Sequence, residues 1–540
     1  MKQHQKVTVV LCLTWVITLL YGEMFAFWLP FLFSCSWPQL QPHPSSSSTN
    51  SSIRINSTGD FVKVAVLADP QLMDKTSLHL PPRSIALELA QFYTDLYMRR
   101  AFFAFVLPFK PDVILFLGDY FDGGPYLSDE EWQESLSRFK HIFGFKNQAR
   151  YKDIPVYYLS GNHDIGYSSL HSDKPEVIRR YENIFGKRNF RFTVGKIEFI
   201  SVDAQTLDGH PEGQLTSETW DFVKNVSVDV QLHPRVLLTH IPLYRRDWTP
   251  CGPHRNSPVI NQRILHTVPG QQILYQNYIT EESSSHLLDL IKPVLVLSGH
   301  DHDQCTVIHK AKFGPIKEHT VGTISWQQGN LYPSFMLLSA SNAALLSTSS
   351  PEEAVSTHLC FLPMQTHIYI WYLSLFILTL LTLLVWPTSG LAFGLHYSDL
   401  VEYSKKLLSS NIFKGGTKEK NEDEHCEYEM IWDAEGSMHL VKKPISTPIS
   451  QSSNRGSIER GNAVMRPTAR KIVPQEIEIC MNMDMSVGGD PPTKLPPKTS
   501  KSKMNFIISR LVRTFRMVTF IAAVNISLYM MLLFKDWIHL

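Results

Sequence analysis

The sequence predicts an α/β protein, a domain of two mixed sheets covered by helices, flanked by transmembrane helices. Three observations predict it. Five short β-branched or apolar runs, Val62–Ala68, Val113–Leu117, Val156–Ser160, Val236–Leu238 and Val294–Ser298, each lead into Asp, Asn or His. Helical stretches alternate with these strands and then give way to hairpins. Three long apolar segments stand outside this pattern, at Val7–Phe33, Ile368–Trp386 and Met517–Phe534.

Along the chain, Gln41–Ser52 is a Pro- and Ser-rich tether, Ser84–Leu107 reads as a helix after the first strand, and Pro175–Phe185 as another. Phe192–Val194 and Ile197–Val202 flank Gly195 as a hairpin, and Thr306–His309 and His319–Val321 read as later strands. From about Ser409 to Ser502 the chain turns to Lys, Glu, Ser, Pro and Gly with few aromatics, the composition of a disordered loop.

A formal charge of +1 over 540 residues speaks against a nucleic-acid partner. The apolar segments near 20 residues match the thickness of a bilayer. Lys2 and Lys6 before the first one resemble a signal peptide, but the apolar run continues past Glu23 to Phe33, which favours an uncleaved anchor. Lys405 and Lys406 follow the second segment, and Lys501, Lys503, Arg510, Arg513 and Arg516 precede the third. The positive-inside rule puts all of these in the cytoplasm.

The expected organisation is therefore a signal-anchor segment (1–36), a lumenal tether (37–59) and a lumenal domain (60–350), followed by a linker with the second transmembrane helix (351–387). A cytosolic, largely disordered basic loop (388–516), a third transmembrane helix (517–534) and a short tail (535–540) complete it. Sequons at Asn50, Asn56 and Asn225 agree with a lumenal assignment. Cys251, Cys305 and Cys360 fall in the lumenal part, where Cys251 with Cys305 is one pairing that sequence alone cannot fix.

The strand ends carry the chemistry. They read Asp69-Pro70-Gln71, Gly118-Asp119, Gly161-Asn162-His163-Asp164, Thr239-His240 and Gly299-His300-Asp301-His302. Carboxylate, amide and imidazole donors without thiolates suit divalent Mn, Fe, Zn or Mg. Two ions sharing one carboxylate can activate a water and clamp a phosphoryl group. Asp119 is the natural bridge, with Asp69, Gln71 and His302 around one ion and Asn162, His240 and His300 around the other. Gln71 either ligates through its carbonyl oxygen or holds a water. A lone His at a strand end is usually just hydrogen bonded, so the weight lies in the ordered set.

That ordered set resembles the calcineurin-like metallophosphoesterases, whose motifs run D-x-H, G-D, G-N-H-D/E, H and G-H-x-H. The resemblance implies a four-layer α/β/β/α metallophosphoesterase sandwich. It also gives His163 a catalytic role against the phosphate and leaving group, with Asp164 orienting it. Gly123 replaces the Arg of protein phosphatases, and Asp122 the ligand Tyr of purple acid phosphatases, so neither subclass is expected.

Ala68–Leu72, Gly161–Gly166, His240–Arg245, Cys251-Gly252 with Arg255, Tyr275–Asn277 and Ser298–Cys305 resemble the membrane-bound branch that trims ethanolamine phosphate from GPI anchors. The resemblance implies two divalent ions, manganese by family habit, and an endoplasmic reticulum or early Golgi membrane location. It also implies GPI lipid or GPI-anchored proteins as substrate, and a link to cargo-sorting machinery. Arg245 and Arg255 are candidates for binding a phosphate oxygen, with surface ion pairing as the alternative. A lumenal phosphatase or phosphodiesterase for another phosphoester is the competing reading.

Overall fold

Alternation along the strands assigns each side chain to a layer. On β1 (Phe61–Leu67), Ala65 and Leu67 join one core and Val64 and Val66 another. Strands β2 (Val113–Phe116), β3 (Val156–Tyr158), β4 (Phe190–Val194), β5 (Ile197–Ser201) and β6 (Arg235–Leu238) follow. Next come β7 (Ile264–His266), β8 (Ile273–Gln276), β9 (Leu295–Ser298), β10 (Cys305–Ala311), β11 (Gly314–Thr320), β12 (Ser334–Ser341) and β13 (Val355–Phe361). The computed structural model describes residues 3–40, 61–145, 153–171, 174–255, 263–266, 273–343, 354–386, 427–432, 438–443 and 500–538.

The first sheet has the order β13-β12-β1-β2-β3 and the second β10-β11-β9-β6-β5-β4. In the first, β1, β2 and β3 are parallel; in the second, β11, β9, β6 and β5 are. Val64, Val66, Val236, Leu238, Leu295, Leu297, Met336 and Leu338 fill the space between the sheets. The outer face of the first sheet packs Leu67, Phe116 and Phe335 against Phe102, Phe105, Phe139 and Tyr181 from the helices Ile85–Arg100, Asp129–Ile142 and Pro175–Phe185 and the turn after the first of them. Leu237 and Val296 do the same on the second sheet, against helices Gln214–Val228 and Glu281–Ile291. Strands apolar on both faces are what a covered, largely parallel sheet requires. The result is the four-layer α/β/β/α sandwich.

Helix starts follow their caps. Ser84 accepts from Leu87 N, and Ser128 with Glu131 forms a reciprocal capping box. The first of these helices differs from the expectation: it ends at Arg100, widens into a π-turn at Ala101–Val106 and then tightens into a 3₁₀ turn at Leu107–Phe109.

Among the described residues three helices are long and apolar enough to cross a membrane: His4–Phe33, Gln365–Val385 and Ile507–Ile538. The third belongs to one helix running Ser500–Ile538, so Arg510, Arg513 and Arg516, expected to precede a span, are themselves helical. Glu23, the charge that interrupts the first apolar run, is buried against Arg100 of the domain and accepts a 2.9 Å bond from the Tyr372 hydroxyl of the second helix. Arg100 Nε also meets Asp536 at 2.6 Å, near the end of the third helix. A charge in an apolar helix persists where it is paired.

Among the described residues two disulfides join Cys251 to Cys305 and Cys35 to Cys360. The second is not anticipated, because Cys35 falls within the expected signal-anchor segment 1–36. Asn225 is exposed on its helix. Asn50, Asn56 and most of the tether and of the basic loop lie outside the described residues. Residues 1–390 with 510–540 form one unit and 391–509 another. The latter contains a hairpin, Glu427–Trp432 with Met438–Lys443, inside a stretch expected to be largely disordered.

Candidate metal centre

All five motifs sit just beyond the carboxyl ends of parallel strands β1, β2, β3, β6 and β9, where open α/β sheets place their ligands. The chain turns there under strain. Asp69, Gln71, Asp119, His300 and His302 have φ of 48°, 37°, 55°, 69° and 58°. The left-handed region costs a non-glycine residue roughly 1–2 kcal/mol, and such clusters mark sites where side-chain placement outranks local comfort. Gly118, at φ 103°, lies where a Cβ would come within 2.7 Å of His240 Nδ1.

The ligand atoms of Asp119, His240 and His300 fall within 4.8 Å of one another, and so do those of Asp69, Asp119 and His302. Asp119 is common to both groups, and both it and Asp69 are fully buried. Asn162 Oδ1 lies 3.0 Å from His240 Nε2, placing it with the group of His240 and His300. Gln71 Nε2 donates to Asp119 Oδ2 at 3.2 Å, so its amide lies against the shared carboxylate. An amide rotated end for end would offer its oxygen there instead.

Hydrogen bonds set the tautomers. Leu117 O accepts from His240 Nδ1 at 2.7 Å, leaving Nε2 to face Asp119 at 3.2 Å. Gln276 O accepts from His300 Nε2 at 3.0 Å, leaving Nδ1 as the ligand nitrogen. Burial, with the charge on His240, presses His300 down to about 3, and burial presses His302 down to about 4. Both are thus neutral, as a ligand must be. Burial pushes the Asp119 carboxyl up, but His240 and His163 outweigh it and hold Asp119 below the usual range. Burial opposes a proton on His240, yet the Asp119 carboxylate raises that ring to about 9. A divalent ion would displace this proton and take over its charge. Acid, amide and neutral imidazole donors around one shared carboxylate fit two such ions.

His163 differs from the rest. Its side chain is 33% exposed, its backbone N–H donates to Asp119 Oδ1 at 2.8 Å, and its Nδ1 donates to the Asp122 carbonyl, with Asp122 Oδ1 at 3.7 Å. This corrects the role given to Asp164. The Asp164 carboxylate accepts from the backbone N–H groups of Asp119, Gly161 and Tyr120 at 2.8, 2.9 and 2.8 Å. Sitting in the short helix Asn162–Ile165, it points back to that helix's start and holds the loops; Asp122 orients His163.

Arg245 and Arg255 take up the ion pairing that was their alternative. Both oxygens of Asp301 accept from Arg255 at 2.8 Å, and Arg245 Nη1 stands 3.5 Å from Asp301 while its Nη2 bonds Thr320. Both guanidinium groups are buried and paired with the residue between His300 and His302. Sequence reasoning missed Asp122, Asp301 and Gln276 as supports. Each lies inside a motif already singled out, but their partners are distant in the chain.

Beneath this clamp, Glu318 is fully buried. Burial pushes its carboxyl up, but Arg245 and His309 pull it down to about 2. Its carboxyl thus titrates lower in the fold than when unfolded. The ion pairs therefore contribute stability that is complete above about pH 4.5 and fades as pH falls toward 2. The shift corresponds to about 3 kcal/mol. The thermal midpoints of wild type and Glu318→Gln are expected to converge on acidification through that window; a gap independent of pH would contradict the assignment.

Fold and centre together define a metal-dependent phosphoester hydrolase. Residues 62–304 match the family model for calcineurin-like phosphoesterases, and the chain carries such a domain. It is similar to Cell division control protein 1 of Saccharomyces cerevisiae, 29% identical over 350 residues that cover 62% of this chain and 66% of that protein. It is also similar to Metallophosphoesterase 1 of Ailuropoda melanoleuca, 28% identical over 336 residues, covering 59% and 76%. Among solved structures, a purple acid phosphatase from yellow lupin aligns over 55% of this chain and 53% of its own, with 11% identity and a TM-score of 0.32.

Proposed function

We propose that the chain is a membrane-anchored phosphodiesterase that removes an ethanolamine phosphate side chain from the GPI-anchor glycan, and so supports exit of GPI-anchored proteins from the endoplasmic reticulum. The observation that carries it is the pair of ligand groups sharing Asp119, in a domain ion-paired through Arg100 to helices able to cross a membrane. A lumenal domain, an endoplasmic reticulum or early Golgi membrane and recognition by cargo-sorting machinery belong to this reading. Similarity to the yeast and animal proteins supports it.

The residues would divide the work as follows. Asp69, Gln71, Asp119 and His302 would hold one divalent ion, and Asp119, Asn162, His240 and His300 the other. Bound there, the ions, manganese in this proposal, would polarise the phosphoester and lower the pKa of the attacking water. His163, with Nδ1–H given to the Asp122 carbonyl, presents Nε2 to the substrate. Burial lowers the His163 pKa, but Asp119 and Asp122 outweigh it and raise the ring above its usual value, which suits an acid. Its proton would pass to the glycan oxygen as the phosphorus–oxygen bond breaks, while water supplies the new bond to phosphorus.

The test is mass spectrometry of GPI anchors from null cells carrying wild type or Asp119→Asn. An extra ethanolamine phosphate that persists in the null and the variant, and disappears with wild type, is the expected result. Identical anchors in all three would transfer the enzyme to another lipid or small phosphoester.

A further inference from the structure

The segment Gly322–Asn330, which follows β11, is absent from every metal-ligand motif yet touches two of them, at three residues. Thr323 Oγ1 donates to the carbonyl of Asp69 at 2.6 Å, Gln327 Nε2 to that of Gln71 at 2.7 Å, and Asn330 Nδ2 to that of His302 at 3.1 Å. Two main-chain bonds reinforce them, from Thr323 N to His302 O at 2.9 Å and from Ile324 N to Ala68 O at 3.0 Å. Among the described residues these side-chain bonds fall only on the group that would hold the first ion. They also fall on three of the five left-handed residues. A strained turn keeps its geometry when its surroundings over-determine it.

The same segment reaches the membrane helices. The Trp326 ring meets Tyr369, in the first turns of helix Gln365–Val385, edge to face at 5.7 Å. Tyr369 in turn packs against Tyr93 at 6.4 Å, and the Tyr97 hydroxyl donates to Pro363 O at 2.8 Å, so the start of that helix is seated on the domain.

We propose that Gly322–Asn330 is a positioning element that fastens the first-ion half of the centre to the second membrane helix, with Thr323, Gln327 and Asn330 gripping the ligand turns and Trp326 gripping Tyr369. It rests on the two-ion reading above. The second-ion half, built from Asn162, His240 and His300, lacks this tether among the described residues. Loosening the segment therefore unequally weakens two ions that share a carboxylate. Groups that orient metal ligands from outside typically change affinity by roughly 10–100-fold.

The experiment titrates the metal-stripped full-length protein, in nanodiscs, with Mn²⁺ by calorimetry. Gln327→Ala should weaken one of two binding events by roughly 10–100-fold and leave the other nearly unchanged, with the thermal midpoint of the metal-free protein preserved. Trp326→Ala and Tyr369→Ala should shift the same event, and Trp326→Phe, which keeps an aromatic edge, should restore it. Unchanged affinities in Gln327→Ala, or both events weakening together with a lowered midpoint, would overturn the proposal alone. A wild type that binds fewer than two ions would overturn the two-ion reading, and this proposal with it.

Discussion

Asp119→Asn is expected to abolish turnover and strip the protein of metal while leaving it folded. The substitution preserves shape: an amide oxygen at the Oδ1 position still accepts from His163 N–H. What it removes is the charge. Asp119 is the member common to both ligand groups and is fully buried. It also faces His240 Nε2 at 3.2 Å and is the main reason that ring holds its proton. A neutral amide does not bridge two dications, and removing a buried partner charge leaves the others uncompensated. A loss of several kcal/mol in transition-state stabilisation corresponds to a fall in kcat/KM of about a thousandfold or more. Elemental analysis of the purified variant, beside hydrolysis of a chromogenic phosphodiester, checks this. Two equivalents of bound metal in the variant would exclude Asp119 as the bridge.

The grouping of these ligands is readable in the sequence because it depends on local facts. A β-branched run ends, the next residues are Asp, Asn or His, and parallel strands bring their ends to one edge. The continuous apolar runs of β1 and β6 likewise mark strands covered on both faces. What the sequence does not carry is which distant group satisfies a given side chain. Asp164 neighbours His163 in its motif whereas Asp122 lies in another, and only the backbone path shows that Asp164 turns toward Gly161 and Asp119 while Asp122 reaches the ring. Arg245 and Arg255 look like phosphate ligands until Asp301 is seen between them. Glu23 looks like a flaw in an apolar run until Arg100 is found against it. Cys35 is hidden for the same reason: its partner is 325 residues away.

Gly161→Ala is expected to be the most damaging single methyl group in the domain. Gly161 is not conformationally special, since its φ of −110° is open to any residue. The constraint is contact. A Cβ there would lie 2.0 Å from Asp119 Oδ1 and 2.4 Å from Asp119 N. Neither neighbour can yield cheaply, because Asp119 N is bonded to Asp164 Oδ2 and Oδ1 to His163 N. Gly161 N is held by the same Asp164 oxygen. The added methyl must therefore separate β2's turn from β3's and displace the shared carboxylate. Overpacking of this kind costs about 1–3 kcal/mol of stability. A displacement of the order of 1 Å at a reacting centre costs about a hundredfold in rate. Metal affinity should fall with it, whereas Gly186→Ala, where a Cβ meets nothing within 4 Å, should lower stability through its φ of 96° and spare metal binding. Titrating both variants with Mn²⁺ separates the two effects. Equal metal affinity in Gly161→Ala and wild type would show that Asp119 has freedom to move and that the close approach of the two turns is not what sets the distance between the ions.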